Sequence, residues 1–193
     1  MTTILLVRHG QSEWNREGRW QGHADPPLSD AGRRQARELA DRLARVRLDA
    51  IYASDLERAR ATAEVVAEAH RIAVTVDAAL REIDVGEWSG LTTAEIERRY
   101  PEGLRRHADG DDGWRDGEPH EAMSARIVAA IGRIAAAHPD GQVLCVLHGG
   151  VMRALLAHAD GADLRSYRLQ HRGPANGTVA RIAVEEGVFR RID

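Results

Sequence analysis

Two short runs of uninterrupted apolar residues constrain this chain most: Ile4-Leu5-Leu6-Val7 and, far along the chain, Val143-Leu144-Cys145-Val146-Leu147. Such runs, bounded by polar residues and lacking the alternation of a half-solvated strand, read as strands buried on both faces of a parallel sheet. The first is followed by Arg8-His9-Gly10 and the second by His148-Gly149-Gly150. In a parallel sheet both imidazoles would arrive at the carboxyl edge, where α/β proteins collect their ligands.

The segments between them alternate in period. From Ser29, a residue with N-cap chemistry, Ala36, Leu39, Ala40, Leu43 and Val46 recur at helical spacing, opposite a face of Arg and Asp. Ala50–Ala53 reads as a strand, and a helix from Asp55 would bury Leu56, Ala59, Ala63, Val66 and Ala67. Val74–Val76 is a third short strand. Met123, Ile127, Ala130, Ile131 and Ile134 predict a helix, as do Val151, Ala154, Leu155 and His158. Residues 179–184 and 188–192 flank Glu185-Glu186-Gly187, the pattern of a hairpin. The fold class expected is α/β: three layers, a mostly parallel sheet with helices on both faces.

Residues 86–121 are looser. Thr92 and Glu95 have capping-box spacing and predict a small helix, but Pro101, Gly103, Gly110, Gly113, Gly117 and Pro119 break the pattern afterwards. A long irregular stretch in a compact chain is usually functional or mobile, so it is expected to form a cap-like insertion over the active site. A length of 193 residues suits one domain, 1–193.

Composition excludes several classes of function. With 43% hydrophobic and 30% charged residues the chain is not disordered as a whole. Its 27 basic residues, all Arg, are outweighed by 30 acidic ones, which argues against a nucleic-acid partner. The lone Cys145 excludes an intramolecular disulfide and a cysteine metal cluster, so a reducing cytoplasm is expected. Four consecutive strong apolar residues near the start are too few for an export signal or a membrane span, so no membrane partner is expected.

The chemistry concentrates at the two strand ends. His9 and His148 each precede a glycine that permits close backbone approach, whereas the other seven histidines, His107 and His120 among them, are expected to be ordinary surface or core residues. Arg8 adjoins the first imidazole, and guanidinium forks match phosphate oxygens. By position alone Arg58 reads as a solvated helix-face arginine. Glu87, Glu121 and Asp84 read as loop acids or caps. The four tryptophans, Trp14, Trp20, Trp88 and Trp114, are expected to pack, with Trp88 the best candidate for a pocket wall.

Four signatures in order then identify a family. Leu6-Val7-Arg8-His9-Gly10-Gln11-Ser12-Glu13-Trp14-Asn15, with Arg19-Trp20-Gln21-Gly22, Asp25-Pro26-Pro27-Leu28 and Gly32 to Gln35-Ala36, resembles the opening of the histidine phosphatase, or phosphoglycerate-mutase-like, superfamily. Ser54-Asp55-Leu56-Glu57-Arg58-Ala59 with Thr62-Ala63 resembles its second signature, and Leu80-Arg81-Glu82 with Gly86-Glu87-Trp88-Ser89-Gly90 its third. Leu147-His148-Gly149-Gly150-Val151-Met152-Arg153 resembles the fourth.

The resemblance implies that His9 is a nucleophile that becomes phosphohistidine, and that Arg8, Arg58 and His148 complete the phosphate pocket. It makes Glu82, which directly follows a strand-like run, the proton donor and later the base. Asn15, Gln21 and the backbone N–H groups of Gly22 and Gly149 become further phosphate contacts. These residue types suit the chemistry. A neutral imidazole is nucleophilic, and two arginines with a second imidazole supply the charge that a metal supplies elsewhere. No cofactor or metal is expected.

The implied activity is hydrolysis of a phosphomonoester of a small phosphorylated metabolite, since Gly86-Glu87-Trp88-Ser89-Gly90-Leu91 is of the phosphatase type and a longer lysine-bearing insertion is lacking. The pairs Arg98-Arg99 and Arg105-Arg106 keep a cofactor-dependent phosphoglycerate mutase as the alternative. A catalytically silent phospholigand-binding protein is the alternative of another class. A homodimer is left open.

Overall fold

A computed structural model describes residues 1–192. Along the chain run β1 (Thr2–Arg8), α1 (Glu13–Glu17), α2 (Asp30–Leu43), β2 (Ala50–Ala53), α3 (Glu57–His70), β3 (Val74–Val76), α4 (Thr93–Arg99) and α5 (Pro101–Ala108). They are followed by α6 (His120–Ala137), β4 (Gln142–Leu147), α7 (Gly149–Ala159), α8 (Leu164–Gln170), β5 (Val179–Glu185) and β6 (Val188–Arg191). The six strands form one sheet in the order β3-β2-β4-β1-β5-β6. β1, β2, β3 and β4 run parallel, and β5 and β6 close one edge as an antiparallel hairpin.

The apolar runs lie at the centre of this sheet, as a strand buried on both faces requires. The pleat sends Ile4, Leu6, Val143, Cys145 and Leu147 into a core with α6 and α7. Leu5, Val7, Leu144 and Val146 enter the opposite core with Leu39, Leu43, Ala63 and Val66 of α2 and α3. Each large aliphatic side chain so buried contributes about 1.5–3 kcal/mol relative to exposure. The register pairs Arg8 with Leu147, so the next residues, His9 and His148, leave adjacent strands side by side.

Local chemistry explains most boundaries. Ser29 caps α2 through Gly32 N–H, and Thr92 with Glu95 forms the expected capping box of α4. At the hairpin turn Glu186 and Gly187 have φ of 51° and 80°, the left-handed pair that a two-residue turn between twisted strands needs.

Three expectations need correction. The helix after β2 starts at Glu57, with Leu56 as its cap position, rather than at Asp55. Ala78–Leu80, which precedes Glu82, is a single 3-10 turn and not a strand. Pro101 and Gly103 do not break structure: Pro101 opens α5, where its missing N–H is not needed, and Gly103 lies inside it. A Cβ at Gly103 would stand 2.4 Å from the Gly113 carbonyl oxygen, so this glycine serves close packing of the cap. Among the described residues no helix is long and apolar enough to cross a membrane.

Candidate active site

His9 leaves β1 3% exposed, and its ring faces that of His148 with centroids 5.0 Å apart. The His9 Nδ1 lies 2.6 Å from the carbonyl oxygen of Gly10. A carbonyl can only accept, so Nδ1 carries the proton and Nε2 keeps its lone pair. Burial, reinforced by Arg58 and Arg8, holds the His9 imidazole well below its ordinary pKa. The ring is therefore neutral at neutral pH. His148 is fully buried and is shifted downward in the same way, by burial first and then by Arg58 and His9.

Both arginines are held by backbone carbonyls. Arg8 donates through Nη1 to Pro174 O. Arg58 is 1% exposed, contrary to the solvated reading of its position, and donates to Ala24 O at 2.7 Å and Gly22 O at 2.9 Å. Burial lowers its pKa to about 10, which leaves it cationic at neutral pH. Arg8 Nε, Arg58 Nε and both ring nitrogens of His148 are buried without a hydrogen-bond partner among the described residues. An unsatisfied buried polar group costs about 1–3 kcal/mol, and here four such atoms belong to three residues of one site.

Glu82 is seated by backbone N–H groups. Its carboxylate accepts from Ile83 N at 2.9 Å, from Gly150 N at 2.9 Å and from Val151 N at 3.3 Å, the last two in the first turn of α7. A Cβ at position 150 would lie 2.4 Å from Glu82 Oε1, so a side chain there would displace the carboxylate from this seat. Arg8, His9, Asn15, Gln21, Gly22, Arg58, Glu82 and Gly150 share a cavity of about 260 Å³. Ser12 Oγ donates to Gln21 Oε1 at 2.8 Å, so the Gln21 amide nitrogen is left for the cavity. Gly22 has φ of 51° and close contact with Val85, which a side chain would obstruct. Gly149 packs against the Arg8 guanidinium, 3.3 Å from where its Cβ would be.

The other wall is not what the spacing of residues suggests. Trp20 and Trp114 line the cavity, whereas Trp88 is fully buried behind them. His107 and His120, read as ordinary, also face it, together with Arg19 and Arg153. Asp112 Oδ1 stands 2.5 Å from His120 Nδ1, and Arg168 Nη2 lies 3.4 Å from His107 Nδ1. Burial and Arg168 lower both imidazoles to a pKa of about 4. The pairs Arg98-Arg99 and Arg105-Arg106 are exposed and outside the cavity lining. Glu87 accepts from the backbone N–H groups of Arg115 and Asp116, the role of a loop acid.

The fold and site together define a class, that of three-layer α/β proteins with two buried histidines and two arginines at the carboxyl edge of the sheet. The chain belongs to the histidine phosphatase superfamily (branch 1), whose sequence pattern matches residues 4–192. It is 37% identical to phosphoserine phosphatase 1 of Hydrogenobacter thermophilus over 169 residues, 86% of this chain and 80% of that protein. YhfR of Bacillus stearothermophilus superposes with a TM-score of 0.93 at 34% identity, over 99% of this chain and 95% of that one. A mycobacterial glucosyl-3-phosphoglycerate phosphatase, solved with VO3, superposes with a TM-score of 0.88 at 30% identity, over 98% and 96% of the two chains.

Proposed function

We propose that this chain hydrolyses phosphomonoesters of small metabolites through a phosphohistidine at His9, without a metal. The observation that carries the reading is the His9 Nδ1–H bond to the Gly10 carbonyl, which leaves a neutral, bare Nε2 in a cavity flanked by two arginines. In the first step the Nε2 lone pair forms a bond to phosphorus while the bond from phosphorus to the ester oxygen breaks. Glu82 gives its proton to the departing alkoxide. Water then attacks phosphorus, Glu82 takes its proton, and the P–N bond electrons return to Nε2. The unpaired donors of Arg8, Arg58 and His148 meet the charge that spreads over the equatorial oxygens.

The leaving group would lie against Trp20, Trp114, His107, His120 and Arg153. The paired arginines Arg98-Arg99 and Arg105-Arg106 are exposed and outside the cavity lining, so the sequence feature that favours a mutase reaction does not bear on the site. The presence of a nucleophile, a proton donor and anion donors around one cavity favours an enzyme over a silent binder. The reading treats 1–193 as one domain with 86–121 as its cap, in a cytoplasmic setting that suits the buried free thiol of Cys145. It needs no second copy, because every group named belongs to one chain.

The test is to mix the protein with p-nitrophenyl phosphate in EDTA, quench in base and locate the phosphate by mass spectrometry. Acid-labile phosphate on His9, absent from His9→Ala together with all turnover, is the expected result. Phosphate on another residue, turnover by His9→Ala or a strict need for added Mg²⁺ would overturn the proposal.

A further inference from the structure

Two consecutive peptide planes follow the nucleophile, and side chains outside the cavity hold both. In the plane between His9 and Gly10, the carbonyl accepts from Asn176 Nδ2 at 2.9 Å and the N–H donates to Thr62 Oγ1 at 3.0 Å. In the plane between Gly10 and Gln11, the N–H donates to Gln35 Oε1 at 2.8 Å. The carbonyl of that second plane is the one that receives His9 Nδ1–H. Gly10 alone would leave these planes free to turn, since glycine populates more backbone conformations than any other residue.

The three anchors are themselves fixed. Thr62 is 1% exposed and its hydroxyl donates to Arg58 O at 2.7 Å, which ties the first plane to the helix that carries Arg58. Asn176 also reaches Asn15 Oδ1 at 3.3 Å, and its neighbours grip Arg8: Gly177 N donates to Arg8 O at 3.0 Å and Pro174 O accepts from the Arg8 side chain. Gln35 projects from α2, whose Gly32 packs so closely that a Cβ on Gly10 would lie 2.6 Å from Gly32 O. Gln35, Thr62 and Asn176 are absent from the cavity lining, and each spends a polar group on the backbone beside His9.

We infer that Gln35, Thr62 and Asn176 are positioning residues, which set the tautomer and the direction of the His9 ring by fixing these two planes. The inference rests on the reading of His9 as nucleophile, but the state of the ring can be measured without turnover. With either plane free to turn, the Gly10 carbonyl no longer holds Nδ1–H, the Nε2–H tautomer becomes populated, and that fraction cannot attack phosphorus.

The experiment uses Thr62→Val, which keeps shape and loses the hydroxyl, Thr62→Ser, which restores it, and Gln35→Met, which keeps volume and loses the acceptor. Ring ¹⁵N spectra of histidine-labelled protein, with His9 assigned by comparison with His9→Ala, should show protonated Nδ1 in the parent and Thr62→Ser. Thr62→Val and Gln35→Met should show a mixture of tautomers. Single-turnover phosphorylation should fall about tenfold or more in those two, the scale expected of small misplacements, while inhibition by inorganic phosphate changes less than about threefold. An unchanged His9 tautomer in Gln35→Met and in any folded Thr62→Val would overturn the inference. So would a loss of phosphate affinity equal to the loss of rate, the sign of a pocket loosened in general. Failure of the parent to form phosphohistidine would overturn the proposed function while leaving the tautomer result standing.

Discussion

The floor and the cap of the cavity are built on different principles. On the floor, backbone atoms hold the nucleophile and both arginines: the Gly10 carbonyl holds His9, Pro174 O holds Arg8, and Gly22 O and Ala24 O hold Arg58. In the cap, side chains hold one another. Asp112 meets His120, Arg168 meets His107, and the rings of Trp20 and Trp114 stand 5.2 Å and 5.5 Å from Trp88. The floor therefore follows from the path of the main chain along a parallel sheet. The cap can be altered by substitution without moving that path, which suits a wall that meets only the variable part of a substrate.

If that division is right, damage to the floor should be large and indifferent to the leaving group. Arg58→Met should lower kcat/KM about 10²–10³-fold for every phosphomonoester tried, the usual loss when one preorganised donor is removed. A loss confined to some substrates would place Arg58 with the cap. Damage to the wall that faces the leaving group should be smaller and selective. Arg153 lines the cavity, and its Nε has no hydrogen-bond partner among the described residues. Arg153→Met should raise KM about tenfold for an alkyl phosphate whose alcohol bears a carboxylate, with kcat changed less than about threefold. A fall in kcat of the same size would move Arg153 into the chemical step.

The weakest expected effect is on stability. His107 and His120 titrate near 4 in the folded chain, against an ordinary imidazole value of about 6.5 in the unfolded one. Between those values the unfolded state binds more protons, so the cap's contribution is complete above about 6.5 and is lost as pH falls towards 4. Burial contributes most to this lowering, Arg168 and Arg153 add to it, and Asp112 opposes it. Tm should drop by about a few degrees per pH unit in this window, and less in the His107→Gln, His120→Gln double variant. Equal slopes in parent and variant would assign the loss to the floor histidines instead.

The same division decides how much of the molecule is legible in its sequence. Buried strands declare themselves by composition, and the residue that ends each of them is fixed in place by the ladder, so the two apolar runs alone bring His9 and His148 to one edge. Arg58 cannot be placed by pattern, because burial of a helix-face arginine depends on the 22–24 loop that covers it. The cap is harder still. Pro101 is as good a helix start as a break, and α8 follows Asp163, a good N-cap, but seven residues are too few to show periodicity. His107 and His120 stand on different helices, and only tertiary packing makes a wall of them. Asn176 carries no signal of its own, since its work is on the backbone of a residue at the other end of the chain.

The leaving-group dependence of Glu82→Gln tests most directly whether the floor carries the covalent step while Glu82 serves the departing alcohol. An alkyl phosphate leaves as a strongly basic alkoxide, whereas nitrophenolate leaves unaided. Phosphorylation of His9 in a single turnover should therefore fall about 10²–10⁴-fold with an alkyl phosphate, the usual value of general acid catalysis. With p-nitrophenyl phosphate the fall should be less than about tenfold. Equal losses with both substrates would contradict the account and make Glu82 one more part of the floor.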